Sequence, residues 1–165
     1  MDPKEIISGK RILIVDDEQD VLDTLAGLLD FCKIDTATSF EEGKDLLENS
    51  VYDIAILDIM GVRGFDLLKI ATRRDIPALM LTAHALSEES LKKSAENGAS
   101  YYAPKDQIDK IDVFLADVLE AKEKNKSAWI KVFERLGGFF DKKFGGPDWR
   151  EKEKEFWEKR TKILR

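Results

Sequence analysis

Five short aliphatic runs, each followed by an amphipathic stretch, leave the first 120 residues few ways to fold. The runs are 11–15, 34–38, 54–57, 78–81 and, more weakly, 99–103. Three of them are nearly all apolar, as parallel strands must be when helices cover both faces of the sheet. Between them, Val21, Leu22, Leu25, Leu28 and Leu29 share one helical face. Phe40, Gly43, Leu46 and Leu47 share a second, with Ser39 as its N-cap and Glu42 three residues on. Leu67, Leu68 and Ala71 mark a third. A fourth opens at Ser87, has Ser90 where a capping-box Glu would stand, turns Leu91 and Ala95 inward and stops at Asn97-Gly98. Ile108, Ile111, Leu115, Val118 and Leu119 make the fifth. Five β-α units in this span predict an α/β fold, a doubly wound five-stranded parallel sheet flanked by five helices.

At 165 residues, 43% hydrophobic and 36% charged, the chain can bury a core and is neither disordered nor membrane-embedded in composition. No apolar run approaches the roughly 20 residues of a membrane span. Residues 1–5 open on acidic and polar side chains without a long apolar segment, so a cytoplasmic location is expected. One cysteine, Cys32, and one histidine, His84, exclude a disulfide framework and a zinc-type site. Cys32 lies in the apolar stretch 28–32 and reads as a small buried hydrophobe. The glycine patterns of dinucleotide and P-loop nucleotide sites are missing after the first run, as is a Gly-x-Ser-x-Gly elbow.

Charge divides the chain. Residues 1–120 hold 13 Lys and Arg against 25 Asp and Glu, whereas 121–165 hold 14 against 8. The expected organisation is therefore an acidic body, 1–120, and a basic helical extension, 121–165. All three tryptophans and five of the nine phenylalanines fall in the extension. Trp129, Val132, Phe133, Leu136 and Phe140 follow helical spacing; after Gly145-Gly146-Pro147, Asp148 reads as the cap of a second helix carrying Trp149, Phe156, Trp157 and Leu164. Because Glu interleaves with Lys there, the extension reads as a protein contact, on the body or on a second chain, in preference to nucleic acid or an anionic membrane surface.

Ligands of open α/β sheets bind outside the carboxyl ends of the strands. Asp16-Asp17 follow the first run, Asp58 the third and Thr82 the fourth, and Lys105 lies just past the fifth. Three carboxylates in one cleft repel unless a cation neutralises them, and a hard divalent ion such as Mg2+ suits oxygen ligands. Such an ion, with Lys105 and Thr82, could also hold a phosphoryl group transferred to a carboxylate nucleophile.

On these residues the chain from 5 to about 120 resembles the receiver domains of two-component response regulators, of the chemotaxis, flavodoxin-like type. The resemblance implies strand order 2-1-3-4-5 and a phosphorelay switch rather than an enzyme acting on other molecules. It implies Asp58 as phosphoacceptor from a cognate histidine kinase, and Mg2+ held by Asp16, Asp17, Asp58 and the Met60 backbone carbonyl. Thr82 and Lys105 would sense the phosphoryl group, with Tyr102 as the aromatic switch. The face made by the fourth helix, fifth strand and fifth helix would then control a downstream protein target, or a homodimer through the C-terminal helices.

Two departures stand out. The loop after Asp58 reaches its glycine, Gly64, in six residues where the family usually takes eight, and lacks the usual proline. Pro104 precedes Lys105 instead of following it, which removes the expectation of a cis peptide after the lysine. The short loop favours the alternative of a pseudo-receiver, a constitutive interaction module that carries no phosphate. Met60 and His84, two beyond Asp58 and two beyond Thr82, are poor at positioning an attacking water, so slow phosphate loss is expected.

Overall fold

The computed structural model describes residues 2–163; Leu164, counted above with the apolar stripe of the extension, lies outside them. Strands β1 (Arg11–Val15), β2 (Lys33–Ala37), β3 (Ile54–Asp58), β4 (Ala78–Thr82) and β5 (Tyr101–Pro104) form one sheet in the order β2-β1-β3-β4-β5. All four pairings are parallel. The order reverses between β1 and β3, which opens a crevice at their carboxyl ends. Central β3 and β4 are buried throughout, whereas edge strand β2 places Lys33 at the surface.

The five expected helices are α2 (Gln19–Leu28), α3 (Phe40–Asn49), α4 (Gly64–Arg73), α5 (Glu88–Glu96) and α6 (Ile111–Glu123). Before them comes α1 (Pro3–Ile7), capped by Asp2 and packed on α6. Its Asp-Pro start is a helix signal, but five residues are too few to show a period. The fifth helix begins with a 3-10 turn, Lys105–Lys110. Ser39 and Ser87 cap as expected, accepting from the amides of Glu42 and Ser90. The Glu42 carboxylate turns to Thr38, accepting from its amide and hydroxyl. Leu28 is exposed: Leu22, Leu25 and Leu29 hold the inward face, and adjacent helical residues lie too far apart around the axis for both leucines to join it.

The extension forms α7 (Trp129–Lys143), α8 (Asp148–Lys152), α9 (Lys154–Glu158) and a π-helical turn, Lys159–Ile163. The second helix is thus segmented, and Asp148 is its first helical residue rather than its cap, which is Pro147. The chain breaks at Glu153, with φ −121°. Trp149 and Trp157, on either side of the break, are both buried.

These helices pack on the body. Trp129, Val132, Leu136 and Phe140 form the buried face of α7, continuous with the core of the sheet. Trp129 Nε1 donates to the Ala99 carbonyl at 2.9 Å. Arg135 forks onto Asp117 of α6 at 2.6 and 3.0 Å, and Asp117 also accepts from the Tyr101 hydroxyl. Lys92 of α5 pairs with Glu153 at 3.0 Å. In this position α7 covers the open side of edge strand β5, whose unpaired backbone would otherwise face solvent. Among the described residues no helix is long and apolar enough to cross a membrane.

Candidate functional site

Four strand ends deliver polar side chains to one edge of the sheet. Asp16 follows β1, Asp58 ends β3, Thr82 ends β4 and Lys105 follows β5. Asp58 lies in register with Leu81, beside Thr82, which pairs with Pro104. Because apolar strands carry them to the last buried position, Asp16, Asp58 and Thr82 are buried despite their polarity. The Lys105 ammonium lies 2.8 Å from Asp16 Oδ2, 2.8 Å from Glu18 Oε1 and 3.4 Å from Asp58 Oδ1. One cation therefore ties together carboxylates from two strand ends. Asp17 meets the same region from the surface: a Cβ on Gly61 would run into its carboxylate, so the loop after β3 passes only because residue 61 is glycine, with φ 88°.

The charges are out of balance. Burial, then the charge of Asp16, pushes the Asp58 carboxyl up to about 7, although Lys105 opposes the shift. Burial also raises Asp16, against its bonds from Lys105 and the Glu18 amide. Burial alone would lower Lys105; bonds to Asp16 and Glu18 outweigh it and hold the ammonium charged to higher pH. The bond from Lys105 keeps the exposed Glu18 below the usual carboxylate range.

A divalent cation fits this donor set. Asp16 Oδ2 is buried, with the Lys105 ammonium at 2.8 Å as its close partner. Asp16, Asp17 and Glu18 each offer an oxygen within 4.8 Å of the others. Hard oxygen donors and surplus negative charge together suit Mg2+. Met60 lies in the following loop and is 54% exposed.

The short loop closes by specific backbone geometry. Gly64 donates its amide to the Ile59 carbonyl at 3.0 Å, and a Cβ on Gly64 would collide with the Asp58 carbonyl. Arg63 takes a left-handed conformation, φ 54°, and lays its guanidinium over the Phe40 ring at 4.0 Å. No described peptide bond is cis, the one before Pro104 included.

Thr82 and Tyr102 belong to a second layer of contacts. Thr82 Oγ1 accepts from the Ala85 amide at 3.1 Å. Tyr102 is wholly buried behind the β4–α5 loop, its hydroxyl against Ser90 Oγ, and makes no contact with the carboxylates. Exposed His84 lies on that loop, beside a cleft of about 320 Å³ that Phe65 and Lys93 also line. The structure thus joins Asp16, Asp58 and Lys105 directly, sets Asp17 and Thr82 on the same edge and keeps Tyr102 apart. Sequence reasoning did not single out Glu18 as a partner of Lys105 or Ser90 as a partner of Tyr102. The signals available were the acidic run 16–18 and a serine where a capping-box Glu belongs.

The family model for the response regulator receiver domain matches residues 12–116, ending before α7. The two-component response regulator ARR18 of Arabidopsis thaliana is 37% identical over 103 residues, covering 59% of this chain and 16% of that protein. The heme response regulator HssR of Staphylococcus epidermidis is 45% identical over 85 residues, 47% of this chain and 37% of that protein. The match thus spans a minority of the length of either relative. The CheY-like response regulator receiver domain protein from Methanospirillum hungatei JF-1 has a solved structure that matches with a TM-score of 0.59 at 32% identity. It covers 70% of this chain and 99% of that one.

Proposed function

Since the chain belongs to the response regulator receiver domain family of two-component systems, we propose that it is a phosphorylation-driven switch with Asp58 as phosphoacceptor. The observation that carries this reading is the burial of Asp58 at the end of β3 with the Lys105 ammonium 3.4 Å from Oδ1. An Asp58 carboxylate oxygen attacks the phosphorus of a phosphohistidine on the cognate histidine kinase. The new O–P bond forms as the P–N bond breaks, and the electron pair and a solvent proton stay with the departing imidazole.

Asp16, Asp17, Asp58 and the Met60 carbonyl would hold Mg2+, which when bound neutralises charge on the phosphoryl oxygens. Lys105 exchanges a carboxylate contact for a phosphoryl oxygen, and the Thr82 hydroxyl donates to another. Residues 1–120 act as the receiver body and 121–165 as the extension that meets its output face, α5, β5 and α6. A downstream protein target is the natural reader of that face. Met60 and His84 supply no good water-positioning group, so the acyl phosphate is long-lived. The competing reading, a pseudo-receiver acting as a constitutive interaction module, draws on the contracted loop 59–64.

Intact mass of the full chain after incubation with acetyl phosphate and Mg2+ separates the two. The expected result is a gain of one phosphoryl group that decays slowly and is absent in Asp58→Asn. A folded protein that gains no mass would establish the constitutive module instead.

A further inference from the structure

A cavity of about 840 Å³ lies on the seam between body and extension, at the edge of the sheet opposite Asp58. The body contributes the chain entering β4, at Ile76-Pro77, and the chain entering β5, at 98–100. The end of α6, residues 125–129 and the pair Lys159 and Arg160 complete the lining. Neither part encloses the space alone. Its volume falls among those of small-molecule sites, roughly 300–1,000 Å³.

The body is acidic, yet this lining is cationic. Lys122, Lys126, Lys159 and Arg160 share it with a single carboxylate, Asp75. Among the described residues none of the four cations forms an ion pair. Lys122 Nζ donates to the Asp75 backbone carbonyl at 3.2 Å. The half-buried Arg160 lays its guanidinium on the Phe156 ring at 3.6 Å and donates from Nη1 to the Phe156 carbonyl. A guanidinium has five N–H donors, so most of this fork is left for an acceptor from outside. Burial pushes Arg160 below its ordinary range, with Glu96 opposing the shift from a distance. Partly desolvated cations gathered without counter-charges are costly until an anion joins them. Guanidinium forks and ammonium groups suit phosphate oxygens, and Ile76, Pro77 and Val118 add an apolar stretch that a phosphate alone would not use. We propose that this cavity binds a nucleoside di- or triphosphate, its phosphates on Lys122, Lys126, Lys159 and Arg160 and its ring against the apolar lining. No glycine-rich loop is needed, because side chains supply the charge. Since both parts of the chain line the site, the ligand holds the extension on the body, and a ligand bound only by the folded state raises the melting temperature.

Full-length protein in EDTA, at physiological ionic strength, is titrated with ATP and with GTP while tryptophan emission is followed, and is melted with and without each. Trp129 lines the cavity, so a saturable change of emission and a higher melting temperature are expected with at least one of the two. Adenosine is expected to change neither, and pyrophosphate to bind at least about tenfold more weakly than the nucleotide. Lys126 and Lys159 are exposed, so Lys126→Glu combined with Lys159→Glu is expected to melt as wild type without ligand and to lose at least about tenfold in affinity. Ala121→Phe, which adds volume to the lining without altering charge, is expected to lose binding as well. No response to either nucleotide, or undiminished affinity in the charge-reversed pair or in Ala121→Phe, would overturn the site. Adenosine binding as tightly as the nucleotide would overturn the role of the cations, and pyrophosphate binding as tightly would overturn that of the ring. No phosphoryl transfer is read, so each of these outcomes leaves the phosphoacceptor reading where it stands.

Discussion

Asp58 is a carboxylate whose surroundings resist its charge. Its folded-state pKa, about 7 against an ordinary 3.8, means that the folded chain keeps a proton which the unfolded chain has already lost. The stability associated with this group is therefore full below about pH 4 and is lost as pH rises through 7, a loss of at most about 4 kcal/mol. Asp58→Asn removes the ionisation and so flattens the slope. In Mg2+-free urea titrations it should match wild type near pH 4 and exceed it by about 2 kcal/mol or more at pH 8. A variant no more stable than wild type at pH 8 would contradict this account of the pocket. The same imbalance explains why Lys105 reaches two carboxylates at 2.8 Å in the resting chain.

At the scale of elements, the β3–α4 loop is the tightest constraint on the site. Gly64→Ala would drive a methyl group into the Asp58 carbonyl, so a fall of more than about 2 kcal/mol is expected, read as a lower melting temperature. The need for a glycine there was visible in the spacing from Asp58, but the closing geometry was not, since Arg63 is not a residue type that announces a left-handed turn. Ser39 and Ser87 were legible because capping is settled within four residues. Asp16, Asp58, Thr82 and Lys105 were legible because strand ends in a doubly wound sheet share one edge, so topology places them. The break at Glu153 was not, because the run 148–158 holds no glycine or proline to signal it. Tyr102 could be marked from its distance to Lys105, whereas its neighbour Phe140 lies across a fold contact that no local pattern encodes.

For the molecule as a whole, body and extension share one core, so they are expected to unfold together. Asp117 is the polar rivet between them, buried and bonded to both Tyr101 and Arg135. Asp117→Ala should cost about 2–3 kcal/mol, because the buried Tyr101 hydroxyl loses its acceptor and the forked pair is broken. In thermal melts, tryptophan emission and far-ultraviolet circular dichroism should coincide for wild type and separate in the variant, with the tryptophan transition lower. Coincident transitions in the variant would show that Asp117 does not join the two parts. The position of α7 beside β5 has one more consequence. It packs on the last strand of the sheet, so a chain cut before Trp129 would offer that row of unpaired backbone groups to another copy. Solubility is in this sense a property that the extension lends to the body.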